Sequence, residues 1–387
     1  MLEFQLIGIG AAGNKAAIEA IESKVVSAEN VMLINSTLAD VPDKYLKGAG
    51  CTICEISNSD VGGCGKNYKK GERLCLEAMQ NGKIDIDSFV KPTTKFVVIV
   101  ASLEGGTGCG AQPVIAHYIK EELGVPVIVY GFLGFEEDNE GSKNIINWFK
   151  RLPEDISVHC ISNKNFLDSN RGNYSKAEQA ANIEFAIQLS IIAGNCIKKS
   201  DQNIDQQDLL NLVTDPKYSI IEYREIDEHI KNADHFSSIL KNMIDNSKSL
   251  RVESHYQHFL GVIVNIPSAD TDNIDYSFKE IISRYGIAEK KFKHIQSYSE
   301  LPTFIAFIST GMQLPLEEIQ AVYDRYVKSK SAIDKDNTDK NSFFSKMVFD
   351  DDDEELAPVA KNKKKSFFES YGVQTPNVPS DDNLDSY

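Results

Sequence analysis

The most constraining feature of this sequence is a run of β-branched and aromatic residues that leads directly into a glycine-rich stretch. Residues 96–100 read FVVIV, which is typical of a strand buried on both faces of a parallel sheet. Residues 101–113 follow with four glycines in the six positions 105–110. With so little side chain present, backbone N–H groups at the start of the next helix can approach an anion closely. The stretch lacks the Lys of the pattern GxxxxGK[ST], so it is not a P-loop.

Three further apolar runs, at residues 4–9, 31–34 and 125–130, indicate other strands of the same sheet. A helical pattern with closely packing alanines, residues 14–21, separates the first two runs. Strands that alternate with helices predict an α/β fold with a parallel, Rossmann-like sheet. Because such sheets bind ligands at the carboxyl ends of their strands, a site is expected in the loops that follow these runs.

A second glycine loop follows the first strand, where Gly8, Gly10 and Gly13 form GxGxxG. Alone, this pattern suits a dinucleotide dehydrogenase equally well, or a simple tight turn. Two glycine loops from adjacent strands suit a chain of phosphates, and a dehydrogenase has no need of the second one. A third cluster, residues 62–66 (GGCGK), is either a cover for the terminal phosphate or a flexible loop.

The rest of the chain predicts a long helix and a second α/β region. Residues 177–199 carry two apolar stripes on different sides, which indicates a helix packed between two bodies. Strands are expected at 259–266 and 303–309, with a helix at 276–285 between them and an amphipathic helix at 316–331. The predicted organisation is a nucleotide-binding domain (1–176), a central helix (177–202), a smaller carboxyl-terminal domain (203–315), a carboxyl-terminal helix (316–331) and a disordered charged tail (332–387).

Charge and cysteine content restrict the function. The net charge of −16 argues against direct binding to nucleic acid and against adsorption to anionic membranes. No signal peptide and no long apolar span is evident, so the prediction is a cytoplasmic protein with reduced thiols. Cys51 and Cys54 form a lone CxxC, and neither a second pair nor histidines at metal spacing follow closely, so structural thiols are predicted there. His255 and His258 are interpreted as surface or core histidines, and no metal site built from protein side chains is predicted.

These motifs together resemble the tubulin/FtsZ superfamily of polymerising GTPases. GGTGCGAQPVIA at 105–116 is similar to its signature loop, and residues 203–208 (NIDQQD) reproduce its NxDxxD catalytic loop. FLGVIVNI at 259–266 is similar to a strand of its second domain. The resemblance covers roughly residues 1–330 and is most like the TubZ branch, which segregates plasmid or phage DNA.

The resemblance implies GTP or GDP as ligand, Mg²⁺ as cofactor, and a filament of identical subunits. In this family, the catalytic loop of one subunit completes the nucleotide site of the next. The catalytic residues implied here are Asn203, Asp205 and Asp208. The implied nucleotide-binding residues are Gly10, Ala11, Ala12, Asn14, Asn35, Gly63, Gly105, Gly106, Thr107, Gly108, Cys109, Glu136, Asn163 and Asn182.

Four positions depart from the family pattern. Glu104 stands where a small residue is usual, and Cys109 replaces Thr, Ser or Ala. The family's ribose-loop Arg is Glu140 here, and the Phe that stacks on guanine is Glu178. For residues 203–208, a simple alternative is a helix N-cap in which Asp208 caps the helix that follows.

The expected biological role is segregation of plasmid or phage DNA, in which the carboxyl-terminal tail binds a DNA-bound adaptor protein. The tail has six acidic residues at 350–355 and four lysines within 361–365, a pattern that favours a docking segment over a uniformly solvated one. The alternatives are an FtsZ-like division protein and a phage tubulin that positions DNA or capsids. A nicotinamide-dependent enzyme remains the alternative of a different class.

Overall fold

The computed structural model describes residues 2–39, 41–48, 50–57, 63–135, 139–197, 204–298 and 303–339. Two units are distinguished, residues 1–332 and 333–387, and only the end of the last helix is described in the second. Among the described residues, no helix is both long and apolar enough to cross a lipid bilayer.

The strands are β1 Phe4–Ile9, β2 Val31–Asn35, β3 Thr52–Glu55, β4 Phe96–Ser102, β5 Val127–Leu133, β6 Ser157–Ser162, β7 Lys217–Ile226, β8 Tyr256–Pro267, β9 Ile287–Tyr298 and β10 Thr303–Met312. The helices are α1 Gly10–Glu22, α2 Asp43–Leu46, α3 Tyr68–Gln80, α4 Ile86–Phe89, α5 Gly106–Glu121, α6 Asn139–Arg151, α7 Tyr174–Ile192, α8 Gln206–Val213, α9 Ala233–Asp245, α10 Lys279–Tyr285 and α11 Leu316–Asp339.

The described strands form one sheet in the order β3-β2-β1-β4-β5-β6-β7-β10-β8-β9. All neighbours run parallel except β10, which is antiparallel to both β7 and β8. The α/β fold predicted from the alternation of strands and helices is therefore confirmed. Because strands from both predicted domains join the same sheet, the domain boundaries remain a prediction.

The core lies on the central strands and the helices beside them. Every residue of β1 is buried, as are the first six of β4. Gln112 ties α5 to the sheet, since its amide nitrogen donates to the carbonyl oxygens of Ile99 (2.7 Å) and Tyr130 (3.0 Å). Its amide oxygen accepts from the indole N–H of Trp148 on α6 at 2.7 Å. These bonds hold the helix that follows the glycine-rich loop in one position on the sheet.

The long helix α7 is shorter than the sequence pattern indicates. Asn173 caps its start by accepting from the backbone N–H of Lys176 at 3.0 Å. It ends at Ile192, because Gly194 takes a left-handed conformation (φ +74°) that terminates the helix. One predicted apolar stripe is buried along the helix, at Ala181, Phe185, Leu189 and Ile192, and its last member, Cys196, lies beyond the helix end and is half-buried. The other is only partly covered, and Ile183 is 41% exposed.

Candidate functional site

The first and second glycine loops lie side by side at the carboxyl ends of two paired strands. β1 and β4 are neighbours in register, with Ile9 opposite Ala101. Gly10 begins α1 with φ +74°, a backbone conformation that favours glycine. A Cβ on Gly10 would lie 3.5 Å from the backbone nitrogen of Gly108. The first turns of α1 and α5 therefore face one shared space.

The amino terminus of α5 supplies hydrogen-bond donors to that space. The N–H of Cys109 makes the first helical bond, to the carbonyl oxygen of Gly105 at 3.2 Å. The preceding N–H groups of Gly106, Thr107 and Gly108 therefore have no acceptor within the helix. The hydroxyl of Thr107 lies 3.2 Å from that of Ser36, which follows β2. Backbone donors, a hydroxyl pair and the positive end of a helix dipole make this region suitable for an anion.

The glycines of this loop serve two different purposes. A Cβ on Gly106 would lie 2.7 Å from the backbone nitrogen of Asn67 and 2.8 Å from the Cβ of Cys64. A Cβ on Gly110 would collide with the backbone of α3. These two glycines therefore permit α3 to pack closely on α5. A Cβ on Gly105, in contrast, would meet nothing within 4 Å, so this residue borders open space.

Two asparagines leave buried amide atoms without a hydrogen-bond partner near these loops. Asn14, on α1, is 1% exposed, and neither its amide oxygen nor its amide nitrogen has a partner. Asn163 begins a short 3-10 turn after β6, and its amide oxygen is likewise buried without a partner. Each such atom costs about 1–3 kcal/mol when left unsatisfied. The arrangement fits a polar ligand that would bond to both side chains.

Other predicted residues are already engaged within the chain. The amide oxygen of Asn35, at the end of β2, accepts from the backbone N–H of Ser36 at 2.8 Å. Gly63 is left-handed (φ +56°), and its carbonyl oxygen accepts from the ammonium group of Lys70 at 3.0 Å. Ala11 and Ala12 are in the first turn of α1. All of them remain beside or just behind the two glycine loops.

The Cys109 side chain does not reach the shared space. Its thiol is buried and lies 3.1 Å from the carbonyl oxygen of Asn144 on α6. Burial raises the pKa of this thiol to about 12, so it stays protonated. Its N–H is bonded to Gly105, as described above. Sequence reasoning missed this packing role, because nothing near Cys109 in the chain identifies Asn144 as its neighbour.

The unexpected Glu104 also turns away from the glycine loop. Its carboxylate accepts from the backbone N–H of Gly134, after β5, at 2.9 Å. Its carbonyl oxygen accepts from the side-chain amide of Asn144 at 2.9 Å. The acidic group thus stabilises the neighbouring loop, which explains how a carboxylate is tolerated beside a predicted phosphate site.

The exposed face of α7 borders the same region. Tyr174, Glu178 and Asn182 are spaced four residues apart and so share one helix face. The Glu178 carboxylate lies 3.6 Å from the ammonium group of Lys15 on α1. The Tyr174 ring packs edge-on against the Phe135 ring, with 4.8 Å between the ring centres. Sequence reasoning missed Tyr174, although it lies one turn before Glu178. Glu136 and Asn203 lie outside the described residues, as does the side chain of Glu140.

The predicted catalytic carboxylates lie near the amino ends of the parallel strands, opposite the glycine loops, on a surface here called the α8 edge (residues 204–213 and the start of β9). β7 begins directly after α8 and is parallel to β6, with Ser157 opposite Lys217, so α8 lies next to the amino ends of these strands. Asp205 caps α8, and its carboxylate accepts from the N–H of Asp208 at 2.7 Å. The alternative in which Asp208 is the cap is therefore wrong, because the helix begins at Gln206. The Asp208 carboxylate lies 3.5 Å from the ammonium group of Lys290.

The cysteines and histidines form no metal centre in the described parts of the chain. No group of three or more His, Cys, Asp or Glu side chains there could hold an ion. Cys54 is buried in β3, and burial raises its thiol pKa to about 11. His258 lies 2.7 Å from the carboxylate of Asp215, whose second oxygen accepts from the Thr310 hydroxyl at 2.8 Å. This network anchors the end of α8 to β8 and β10.

Comparison with known proteins places this geometry in a family. Residues 3–171 match the sequence profile "Tubulin/FtsZ family, GTPase domain". This part of the chain is a tubulin/FtsZ-family GTPase domain. The resemblance to the tubulin/FtsZ family, and the GTPase activity that it implies, are thereby confirmed.

Relatives and solved structures extend the similarity beyond that domain. The mitochondrial division protein fszB of Dictyostelium discoideum is 25% identical over 295 residues, which are 72% of this chain and 74% of that protein. TubZ of the Clostridium botulinum phage c-st has a TM-score of 0.62 at 17% identity, covering 85% of this chain and 98% of that one. CetZ2 of Haloferax volcanii, solved as a GTPγS-bound protofilament, has a TM-score of 0.67 at 17% identity, covering 86% and 99%. At these identities the structural matches establish the shared fold.

Proposed function

We propose that this GTPase assembles head to tail into filaments and hydrolyses GTP at the contact between successive subunits. One observation carries the proposal, namely that α8, with Asp205 and Asp208, lies at the opposite ends of the parallel strands from Gly10 and Gly108. A single chain therefore cannot bring its own carboxylates to its own glycine loops. A second copy that docks its α8 edge onto these loops does so. Because the two docking surfaces differ, the contact repeats into an open filament.

The glycine-loop side of the site binds and orients the phosphates. Hydrolysis of a phosphoanhydride needs neutralisation of phosphate charge and a positioned water molecule. We assign phosphate binding to Gly10, Ala11, Ala12, Asn14, Asn35, Gly63, Gly105, Gly106, Thr107 and Gly108. Of the predicted set, Cys109 contributes packing rather than contact. Mg²⁺ supplies further neutralisation when bound, and phosphate oxygens would be its main ligands, because no acidic cluster suited to a metal occurs in the described ranges.

The base and the catalytic water are assigned to separate groups. Asn163 and Asn182 hydrogen-bond the guanine, and the unpartnered amide oxygen of Asn163 supports this role. Glu136 is assigned to the ribose. Asn203, Asp205 and Asp208 of the neighbouring subunit orient the attacking water, which a carboxylate can do by accepting its proton.

A complementation experiment tests the shared site. Asn14→Asp places a negative charge on the phosphate side, and Asp205→Asn removes one from the α8 side. Each variant alone is expected to be inactive. In an equal mixture, about a quarter of random contacts join two intact halves, so GTP hydrolysis should return at about that fraction. A mixture that stays inactive while both variants co-sediment with wild-type filaments contradicts a site shared between subunits.

We further propose that the filament segregates plasmid or phage DNA through an adaptor protein that binds residues 332–387. The similarity to phage c-st TubZ supports this role, and the net charge of −16 favours an adaptor over direct DNA contact. The similarity to the mitochondrial division protein fszB supports the second candidate, a filament that acts in division.

A capture experiment separates the two candidates. Filaments of the full chain and of a chain ending at residue 339 are incubated with lysate from the source cell. Partition predicts tail-dependent capture of a small protein that binds DNA in a separate shift assay. Tail-dependent capture of a membrane-anchored division protein contradicts partition and favours the second candidate.

A further inference from the structure

The α8 edge carries a positive charge that the family resemblance does not account for. Lys290, on β9, lies 3.5 Å from the carboxylate of Asp208. The side chains are 57% and 34% exposed, so both groups are open to an approaching subunit. We propose that Lys290 is a positioning residue for Asp208 in the shared hydrolytic site. This inference rests on the proposed function, in which Asp208 acts on GTP bound by the next subunit.

The fold holds the Lys290 ammonium group beside the start of α8. Lys290 pairs with Phe259 across β8 and β9, and its ammonium group lies 4.6 Å from the centre of the Phe292 ring. A cation over an aromatic face is attracted to it, so the flexible side chain has a preferred position. Because Lys290 and Phe292 are two residues apart on one strand, they share the same sheet face. The lysine is therefore directed at α8 by packing as well as by charge.

Asp205, Asp208 and Lys290 form one connected unit. The Asp205 carboxylate accepts from the Asp208 N–H, and the Asp208 carboxylate pairs with Lys290. The cap fixes the backbone of Asp208, and the lysine fixes its side chain. Within the described part of the chain, Lys290 is the cationic side chain that lies against the Asp208 carboxylate, so it favours one orientation of that group. A misplaced catalytic group costs rate even where binding is unaffected.

Lys290 also addresses the repulsion between the α8 edge and a triphosphate. The electrostatic repulsion between these two carboxylates and a triphosphate increases as the distance between them decreases. The ammonium group beside Asp208 offsets one of these charges at the contact itself. The effect is expected to weaken as salt increases, because the groups are partly exposed.

The chain provides a matched control next to Lys290. Lys291 follows on the same strand and is also exposed, but its side chain points to the opposite sheet face. That face carries Glu289, whose carboxylate lies 3.6 Å from His258. Lys291→Ala thus removes the same charge from the same strand without altering the contact to α8.

The test measures assembly and turnover in full-length wild type, Lys290→Ala, Lys290→Arg and Lys291→Ala. Phosphate release at saturating GTP is divided by the amount of sedimented protein, across a range of protein and KCl concentrations. We expect Lys290→Ala to lower turnover per assembled subunit by about tenfold to a hundredfold and to reduce its salt dependence. Lys290→Arg should restore most of the rate, and Lys291→Ala should match wild type.

The outcomes distinguish this inference from the proposed function. Wild-type turnover in Lys290→Ala filaments, or an equal loss in Lys291→Ala, overturns the role of Lys290. A higher critical concentration with unchanged turnover per assembled subunit overturns it too, since Lys290 would then be only a contact residue. If wild-type activity is proportional to protein at all dilutions, the proposed assembly-dependent site fails instead.

Discussion

Substituting Asp205 separates two properties of one side chain. Its carboxylate caps α8 by accepting from the Asp208 N–H at 2.7 Å, and it is also a proposed catalytic group. Asn caps a helix as well as Asp does, so Asp205→Asn removes the charge and keeps the cap. Asp205→Ala removes both. Comparing the two variants therefore isolates the carboxylate from the helix that it stabilises.

The two effects have different sizes. A positioned general base contributes about 10²–10⁴-fold to rate, so both variants are expected to lose turnover per assembled subunit in that range. Loss of an N-cap costs about 1 kcal/mol, so only Asp205→Ala should also be less stable to denaturation. GTP binding and assembly should persist in Asp205→Asn, which leaves filaments that do not disassemble on GTP.

The assay combines phosphate release, sedimentation and thermal denaturation of the same samples. The reasoning is refuted if Asp205→Asn retains wild-type turnover, since the cap alone would then explain why the residue is needed. It is also refuted if Asp205→Ala is as stable as wild type, because the observed cap would then contribute nothing to the fold.

Three further predictions follow from separate parts of the molecule. Ile287→Asp, at a side chain 69% exposed beside the α8 edge, should raise the critical concentration without changing turnover per assembled subunit, as measured by sedimentation. Gly106→Ala should destabilise the fold, because its Cβ would lie 2.7 Å from the Asn67 nitrogen, whereas Gly105→Ala should keep wild-type stability but weaken GTP binding in a titration. Burial raises the pKa of Glu222 to about 8 from 4.5, so the folded protein retains a proton that the unfolded chain loses. The free energy of unfolding should consequently fall by up to about 1.4 kcal/mol per pH unit from about pH 5 to pH 8, and Glu222→Gln should flatten this slope in denaturant titrations.

Strands with strong local patterns were predictable, and those with mixed patterns were not. β4 is a continuous apolar run because both of its faces are covered, and that pattern is visible in the sequence. β9 is at the edge of the sheet and carries several lysines, so it has no apolar run to identify it. α3 was missed for another reason. Its Gly71 looks like a helix breaker but allows contact with the backbone of Gly106.

In the candidate site, too, the parts with a local sequence pattern were predictable, whereas the contacts between distant residues were not. The two glycine loops are local features, and their sequence indicates both the turn and the anion-binding helix start. The bond from Cys109 to Asn144 and the pair between Asp208 and Lys290 join residues 35 and 82 positions apart. Nothing in the local pattern specifies either partner. The identity of the cap was also undetermined, because it depends on where α8 begins.

By itself, the sequence determined that buried parallel strands end in glycine loops able to bind phosphates, since hydrophobic runs and missing side chains act locally. Only the tertiary structure decided that Asp205 and Asp208 lie at the opposite ends of the parallel strands from those loops. That separation follows from the parallel pairing of β6 and β7, which sets the direction of β7 and hence the position of α8. Strand direction is fixed by hydrogen bonds between distant segments, so it can be known only once the sheet is assembled.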